Sequence, residues 1–121
     1  MTPIEIGTKL VELVRAGKNH EAMETLYAPN IVSVEAGAPP GQKPESTGLA
    51  ACLAKSKQFG ERMEVHGAVV EGPFPNGDRF AVFYNYDLTP RAGGSRQKML
   101  EVALYTVKDG KIAREEFFYK A

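Results

Sequence analysis

The chain has 121 residues, 15 Lys plus Arg against 15 Asp plus Glu, and a formal net charge of zero. Neither nucleic acid nor an anionic membrane surface is expected as a partner, because both attract proteins through clustered cations that this sequence lacks. A single cysteine excludes an internal disulfide and a cysteine-based zinc site, and ordinary hydrophobic and charged fractions, 43% and 25%, predict one folded domain over residues 1–121.

The first helix is predicted from its capping signals. Thr2 supplies an N-cap, Pro3 suits the first helical position, and Glu5 completes a capping box. Gly17 is expected to end this helix. The same stretch has neither a basic region nor an apolar run of signal-peptide length, so a cytoplasmic protein is expected. Its apolar residues recur at helical spacing, at Ile6, Leu10, Leu13 and Val14.

Two more helices are predicted before residue 60. Asn19 can cap the second helix, which Pro29 is expected to stop. A loop rich in Gly and Pro covers residues 37–47, and Ser46 or Thr47 at its end can cap the third helix. We expect this helix to run to about Phe59 and to turn Ala50, Leu53 and Ala54 inward.

The second half of the chain changes to a period of two, which is typical of strands. Asp109-Gly110 is a strong hairpin signal, whereas Gly72–Asp78 and Thr89–Ser95 are interpreted as longer turns. Three helices followed by such strands predict an α+β fold, in which a curved antiparallel or mixed sheet wraps around three N-terminal helices and leaves a pocket at its open end. The expected strands are Ile31–Glu35, Arg62–Glu71, Arg79–Leu88, Gln97–Val107 and Lys111–Tyr119.

Five local motifs carry a resemblance to a known family. They are Leu26–Glu35 (LYAPNIVSVE), Gly37–Pro40 (GAPP), Thr47-Gly48 before a helix, Lys108–Ile112 (KDGKI) and Glu115–Tyr119 (EEFFY). In this order they resemble the SnoaL-like families of the nuclear transport factor 2-like (NTF2-like) superfamily, and the resemblance covers nearly the whole chain. It implies a cone-shaped α+β protein.

The resemblance also implies small-molecule chemistry inside the cone. The superfamily includes isomerases, polyketide cyclases, epoxide hydrolases and non-catalytic binders, so the fold alone does not decide the function. Glu35 falls where enzymes of the superfamily carry an Asp base. Leu10 and Ala103 fall where its steroid isomerase carries two electrophilic donors. Their absence disfavours steroid isomerisation, because stabilising the enolate is usually the largest contribution to catalysis.

The alternation of side chains along a strand also predicts which residues line the pocket, without reference to the family. If Glu35 faces inward, Ile31 and Ser33 must do so as well. We expect a small apolar organic ligand, bound without a cofactor or a metal. The expected ligand-binding residues are Leu10, Ser33, Phe80, Val82, Tyr86, Glu101, Ala103, Tyr105, Phe117 and Tyr119.

Three of the inward side chains are candidate catalytic residues. Glu35 is the expected general base, because an acid in an apolar cavity has a pKa raised toward the range useful for proton transfer. Glu115 is a second carboxyl for the same cavity, and the Tyr84 hydroxyl is a candidate donor to a carbonyl. Each has a structural alternative: an ion pair for the two acids and core packing for the tyrosine.

The leading hypothesis is therefore a small-molecule-binding protein, an isomerase or cyclase that uses a pocket carboxylate as general base. The alternative is a non-catalytic ligand-binding or assembly module. A third possibility, epoxide hydrolysis, needs an Asp-Arg-Asp set, and Arg62, Arg79 and Arg114 alternate away from the inward residues.

Other polar residues are expected to have smaller roles. Tyr27 lies at a helix end and is interpreted as structural, and Cys52 as a buried inert thiol. His66 could enter the pocket if the polar face of its strand is turned inward.

The strand at 97–107 predicts a homodimer. Leu100, Val102 and Leu104 form one apolar face, opposite the face that carries Met99 and Tyr105. A strand that is apolar on both faces must be covered on both, and a second subunit can supply the outer cover.

Overall fold

The computed structural model describes residues 1–120 and contains three helices and six strands. The prediction of an α+β fold is confirmed. In chain order the elements are α1 (Pro3–Arg15), α2 (Asn19–Leu26), β1 (Tyr27–Val34), β2 (Glu45–Thr47), α3 (Leu49–Arg62), β3 (Met63–Asn76), β4 (Arg79–Pro90), β5 (Gln97–Lys108) and β6 (Lys111–Phe118).

Helix α1 begins as its sequence predicts. The Thr2 side chain accepts a hydrogen bond from the Glu5 backbone, and the Glu5 carboxylate accepts one from the Thr2 backbone. This capping box satisfies two backbone donors that a helix start leaves free. The apolar stripe of α1 is buried against β3 and β4, so the helix fills the concave side of the sheet.

Helix α3 differs from the prediction at its start and in the face it buries. It begins at Leu49 after Gly48, whose φ of 101° lies in the left-handed region that favours glycine. Ser46 and Thr47, predicted as caps, belong to β2 instead. The expectation that Ala50 and Ala54 face inward with Leu53 is wrong for both alanines, which are exposed while Leu53 is half-buried. Cys52 is the buried residue of this helix, because packing on the cone selects the stripe through Cys52, Lys55, Ser56 and Phe59.

The six strands form one curved, unclosed mixed sheet in the order β2-β1-β6-β5-β4-β3. Strands β1 and β6 pair in parallel, and the other neighbouring pairs are antiparallel. The predicted hairpin at Asp109-Gly110 is confirmed, since both residues have positive φ and lie between β5 and β6. The parallel pair brings Ser33 of β1 directly beside Glu115 of β6.

Strands β1, β3, β4 and β5 extend beyond their predicted bounds, β1 and β3 by the most. Strand β3 runs through Pro73 and Pro75 to Asn76, so the turn expected over 72–78 is reduced to Gly77-Asp78. Proline is tolerated there because β3 is an edge strand and its pairing is irregular between Glu71 and Phe74. Strand β1 likewise begins at Tyr27 and contains Pro29, which was expected to end a helix.

The two faces of the sheet differ in their surroundings. The inner face and the helices share one apolar core, whose members include Ile6, Leu10, Ile31, Phe80 and Ile112. The outer face leaves Leu100 at 59% exposure and Phe118 at 51%. Among residues 1–120, no helix has the length and apolar character needed to cross a membrane.

Candidate functional site

The side chains that alternate to the inside of each strand, as the sequence predicts, lie on the inner face of the cone. Ile31 and Ser33 are buried, so the predicted facing of β1 is confirmed. Of the predicted ligand-binding and catalytic residues, those that the structure buries are Leu10, Ser33, Phe80, Val82, Tyr84, Glu101, Ala103, Tyr105 and Glu115, and those that it leaves half-buried are Glu35, Tyr86, Phe117 and Tyr119.

The deep part of the cone is filled by aromatic side chains. The rings of Phe80 and Tyr105 stack with centroids 5.1 Å apart, and the hydroxyl groups of Tyr84 and Tyr105 are 2.7 Å apart. Burial is the first cause that raises the pKa of both tyrosines. These residues, with Val82 and Ala103, form the floor of the cone.

Two shallow concavities of the described chain lie outside the cone. One, of about 310 Å³, runs along the exposed side of α1 past Ile4 and Thr8. The other, of about 390 Å³, lies beside Asp87 and Arg96. The apolar cavity expected deep in the cone is therefore not one of them. The residues available to a ligand are the half-buried ones, which we call the mouth of the cone: Glu35, Lys55, Phe59, Tyr86, Phe117 and Tyr119.

Glu115 is the most enclosed carboxyl of the site. The Tyr27 hydroxyl donates to Glu115 Oε1, and Ser33 Oγ donates to Oε2 over 2.7 Å. Burial raises the pKa of Glu115, and the hydrogen bonds from Tyr27 and Ser33 act in the opposite direction. Tyr27, interpreted from the sequence as structural, therefore belongs to the polar cluster.

Lys55 of α3 connects this enclosed carboxyl to the mouth. Its ammonium donates to Ser33 Oγ over 2.8 Å and to Glu35 Oε1 over 2.9 Å, and it lies 5.9 Å from the centre of the Phe117 ring. The Tyr119 hydroxyl donates to the other Glu35 oxygen over 2.9 Å. Glu35 thus has the ion pair that the sequence analysis gave as its structural alternative, because α3 presents Lys55 to the end of β1.

Glu101 stands apart from these pairs. It lies directly across from Tyr84 on β4 and is only 8% exposed. Its carboxylate makes no hydrogen bond or ion pair with another residue of the described chain. Burial, together with the charges of Glu35 and Glu115, raises the pKa of Glu101 to about 7, while Lys55 acts in the opposite direction.

Aromatic side chains continue from this carboxyl toward the opening. Tyr84 and Tyr86 stack with ring centroids 5.6 Å apart, and Phe59 of α3 lies 6.1 Å from Tyr86. The mouth therefore combines half-buried aromatic faces with the Lys55–Glu35 pair and the Glu101 carboxyl.

Two residues of this site, Lys55 and Tyr27, were missed by the sequence reasoning. Lys55 lies three residues after Cys52 and four before Phe59, so helical spacing could have placed it on the buried stripe. Tyr27 shares its parity with Ile31 and Ser33, but strand β1 was expected to begin only at Ile31.

The remaining polar candidates lie away from the cluster or are inert. His66 is exposed, with Nε2 2.7 Å from Thr89 Oγ1 on the neighbouring strand. Cys52 is buried, and burial raises its pKa to about 11. Within residues 1–120, no three His, Cys, Asp or Glu side chains form a group that could hold a metal ion.

A curved mixed sheet around three helices is the NTF2-like or cystatin-like fold of α+β proteins. The family model described as SnoaL-like domain matches residues 1–119. The chain belongs to the SnoaL-like domain family.

Solved structures agree with this membership. The chain is 46% identical to a Mesorhizobium loti protein named as a SnoaL-like polyketide cyclase and, in brackets, a carbohydrate phosphatase, with TM-score 0.91 and 98% and 100% of the two chains covered. A Catenulispora acidiphila protein with a ketosteroid isomerase-like fold, in complex with trimethylamine, is 20% identical, with TM-score 0.74 and coverage of 99% and 88%. A Xanthomonas campestris protein with a cystatin-like fold is 18% identical, with TM-score 0.79 and coverage of 100% and 92%. No curated protein matches the chain.

Proposed function

We propose that this protein binds a small organic carbonyl compound at the mouth of its cone and moves a proton at the carbon next to the carbonyl, without a cofactor. The observation that carries this proposal is the position of Lys55. Two of its three N–H groups are engaged, by Ser33 and Glu35, and the third is used by no other residue of the described chain. That remaining donor suits a negatively charged oxygen of a ligand.

The chemical reason is the charge that appears during proton removal. Taking a proton from a carbon next to a carbonyl places negative charge on the carbonyl oxygen, and a fixed donor near that oxygen lowers the barrier. Leu10 and Ala103 offer no such donor. The half-buried ammonium of Lys55, held by two hydrogen bonds, supplies one from a different element of the same fold.

The base in this proposal is a carboxylate of the mouth. Glu35 and Glu101 are the two candidates, whereas Glu115 is enclosed by Tyr27 and Ser33 and holds the cluster together. The Tyr84 hydroxyl is engaged with Tyr105 and belongs to the floor. The polyketide cyclase name of the Mesorhizobium loti relative, 46% identical, is consistent with proton transfer next to carbonyl groups.

Two other activities fit the charges less well. A phosphatase is disfavoured because Lys55 is the one cation of this polar cluster in the described chain and Glu35, Glu101 and Glu115 surround it. Epoxide hydrolysis is disfavoured because Arg114 lies on the outer face beside Glu116, not in the cone.

Binding of 2-cyano-4-nitrophenolate tests the proposal, since this small phenolate mimics an enolate and is anionic at about pH 6. We expect Lys55→Met to weaken its affinity at least about tenfold, as the loss of a charge-assisted hydrogen bond predicts. Lys57→Met is the matched control, because Lys57 is exposed on the same helix. Equal affinity of wild type and Lys55→Met, measured by calorimetry, contradicts the proposal.

A second candidate function is non-catalytic binding, which the paired state of Glu35 favours. In that case the phenolate binds at Lys55 but the protein removes no proton from a carbon acid. The sequence-based predictions of a cytoplasmic location and of no nucleic-acid or membrane partner stay predictions.

We also propose that the protein is a homodimer through the outer face of its sheet. Leu100, Val102 and Phe118 lie side by side there, exposed on neighbouring strands β5 and β6. Asn85 on β4 lies directly across from Leu100, and its buried Oδ1 has no hydrogen-bond partner in the described chain. A second copy covers this apolar face more effectively than water does, because burying it removes apolar surface from solvent.

A further inference from the structure

Glu101 is a largely buried carboxyl that forms no hydrogen bond or ion pair with the rest of the described chain. It is more than nine-tenths buried, and within residues 1–120 it has neither a donor nor a cation bonded to it. Its two oxygens nevertheless reach solvent, since Asn85 Oδ1 is the one fully buried side-chain oxygen or nitrogen without a partner in the described chain. Glu35 and Glu115, in contrast, both have two bonded partners. The Glu101 carboxyl is therefore both reachable from solvent and free of protein partners, so a ligand can contact it.

We propose that Glu101 is the catalytic residue that removes and returns the proton, and that Glu35 is a positioning residue that holds Lys55. This inference rests on the proposed function and assigns the roles within the same site. Glu101 lies on β5 directly across from Tyr84, on the inner face that also carries Ala103 and Tyr105.

The groups around Glu101 explain why it suits this role. Tyr84 and Tyr86 face it from β4, Glu115 from β6, Tyr119 from beyond β6, Glu35 from the end of β1, and Lys55 from α3. The tyrosines are neutral near pH 7, and the two acids and burial together outweigh the lysine. The pKa of Glu101 is about 7, which is the range in which a base is both available and strong.

The reaction balances within the site. The Glu101 carboxylate takes a proton from the carbon, the C–H electron pair becomes the enolate double bond, and the carbonyl oxygen takes the negative charge next to Lys55. In a substrate with a C=C bond beyond that carbon the enolate is a dienolate, and the neutral Glu101 carboxyl returns the proton to its far carbon while the double bond moves next to the carbonyl, which forms again. No oxidant or reductant is needed.

The carbon acid 5-nitrobenzisoxazole tests this assignment in the full-length protein. A base removes the C3–H proton of its isoxazole ring, that electron pair completes a nitrile, the N–O bond breaks, and the oxygen leaves as 2-cyano-4-nitrophenolate. We expect the wild-type rate to rise with pH to a plateau with a midpoint at about 7, because only the ionised Glu101 accepts a proton.

Three glutamate variants separate the roles. Glu101→Gln is expected to lower the plateau rate about 10²–10⁴-fold, as loss of a general base does. Glu35→Gln is expected to lower it less than about tenfold and to move the midpoint to lower pH, because the Glu35 charge raises the pKa of Glu101. Glu116→Gln is the control, since Glu116 lies on the outer face of the sheet beside Arg114.

A binding measurement gives a second readout that does not depend on turnover. Affinity for 2-cyano-4-nitrophenolate is expected to fall between about pH 6 and 8 in the wild type, because Glu101 ionises in that range and repels the phenolate. In Glu101→Gln the affinity is expected to stay constant over the same range.

The outcomes distinguish this inference from the proposed function. If Lys55→Met binds the phenolate as well as the wild type does, the proposed function fails and this inference fails with it. If binding depends on Lys55 but Glu101→Gln keeps the wild-type rate and pH profile, only the assignment of Glu101 fails. If the wild type binds the phenolate but does not open the benzisoxazole, non-catalytic binding replaces the proposed proton transfer and this inference fails with it. If Glu35→Gln alone abolishes the reaction, only the assignment of Glu101 fails.

Discussion

Lys55 Nζ lies 2.9 Å from Glu35 Oε1 and thereby joins helix α3 to the end of strand β1. The two side chains are 28% and 30% exposed, so the pair stands at the boundary between core and solvent. At such a place an ion pair adds little stability, and its effect is mainly to hold the ammonium in one position. Under the proposed function, this fixed ammonium is the group that meets the ligand.

Replacing Glu101 by Gln is expected to stabilise the protein at alkaline pH. The pKa of Glu101 is raised from 4.5 to about 7 in the folded state, so between these values the unfolded chain has already released a proton that the folded protein still holds. The free energy of unfolding is therefore unaffected by this carboxyl's ionisation below about pH 4.5, and it falls as the pH rises through about 7. At about pH 8 the variant should be more stable by on the order of 2–3 kcal/mol.

Thermal unfolding of both proteins across this pH range measures the difference. The two curves should converge at acid pH, where Glu101 is neutral and resembles Gln. A constant difference at every pH would contradict the raised pKa.

The Tyr27 hydroxyl is expected to matter more for stability than the Tyr119 hydroxyl. Tyr27→Phe removes a buried donor to Glu115 and leaves a carboxyl oxygen unsatisfied, at a cost of about 1–3 kcal/mol. Tyr119→Phe, at the half-exposed mouth, should cost less than about 1 kcal/mol because water replaces the lost bond. Urea unfolding at neutral pH compares the two, and equal losses would argue against an enclosed Tyr27–Glu115 pair.

The proposed dimer is tested by charge on the outer face of the sheet. The wild type is expected to have twice the 13.2 kDa mass of one chain in solution at micromolar concentration. Val102→Lys should give monomers, because it places a charge in the centre of the apolar face. Ile4→Lys, on the exposed side of α1, is the control and should leave the mass unchanged. Light scattering after size-exclusion chromatography measures it, and a monomeric wild type contradicts the dimer.

Two helical glycines should respond to alanine in opposite directions. A Cβ on Gly7 would lie 2.8 Å from Pro73 Cβ and 3.1 Å from Phe80, so Gly7→Ala should cost about 1–3 kcal/mol through overpacking. A Cβ on Gly60 meets nothing within 4 Å, and alanine is the better helix former there by about 1 kcal/mol. Chemical denaturation measures both, and a stabilised Gly7→Ala would contradict the close packing of α1 on β3.

The thiol of Cys52 is expected to be unreactive in the folded protein. Burial raises its pKa to about 11, so almost no thiolate is present at neutral pH. A disulfide reagent should label it only after denaturant is added. Rapid labelling of the native protein would contradict the buried position on α3.

Local patterns determined much of this architecture before any contact was known. The capping box at Thr2 and the Asp109-Gly110 hairpin act through neighbouring backbone groups, so the sequence is sufficient to predict them. The inward facing of Ser33 and Glu101 follows in the same way, because side chains alternate along a strand.

Only the tertiary structure decided which polar groups meet. The parallel pairing of β1 with β6 places Ser33 beside Glu115, and the docking of α3 brings Lys55 to Glu35, although residues 20 or more positions apart carry no mutual signal in the sequence. The facing of α3 was mispredicted for the same reason: packing against the cone, not local periodicity, chose the stripe through Cys52. The pKa of Glu101 is decided by the fold, because it depends on charges that the end of β1, β6 and α3 bring to it.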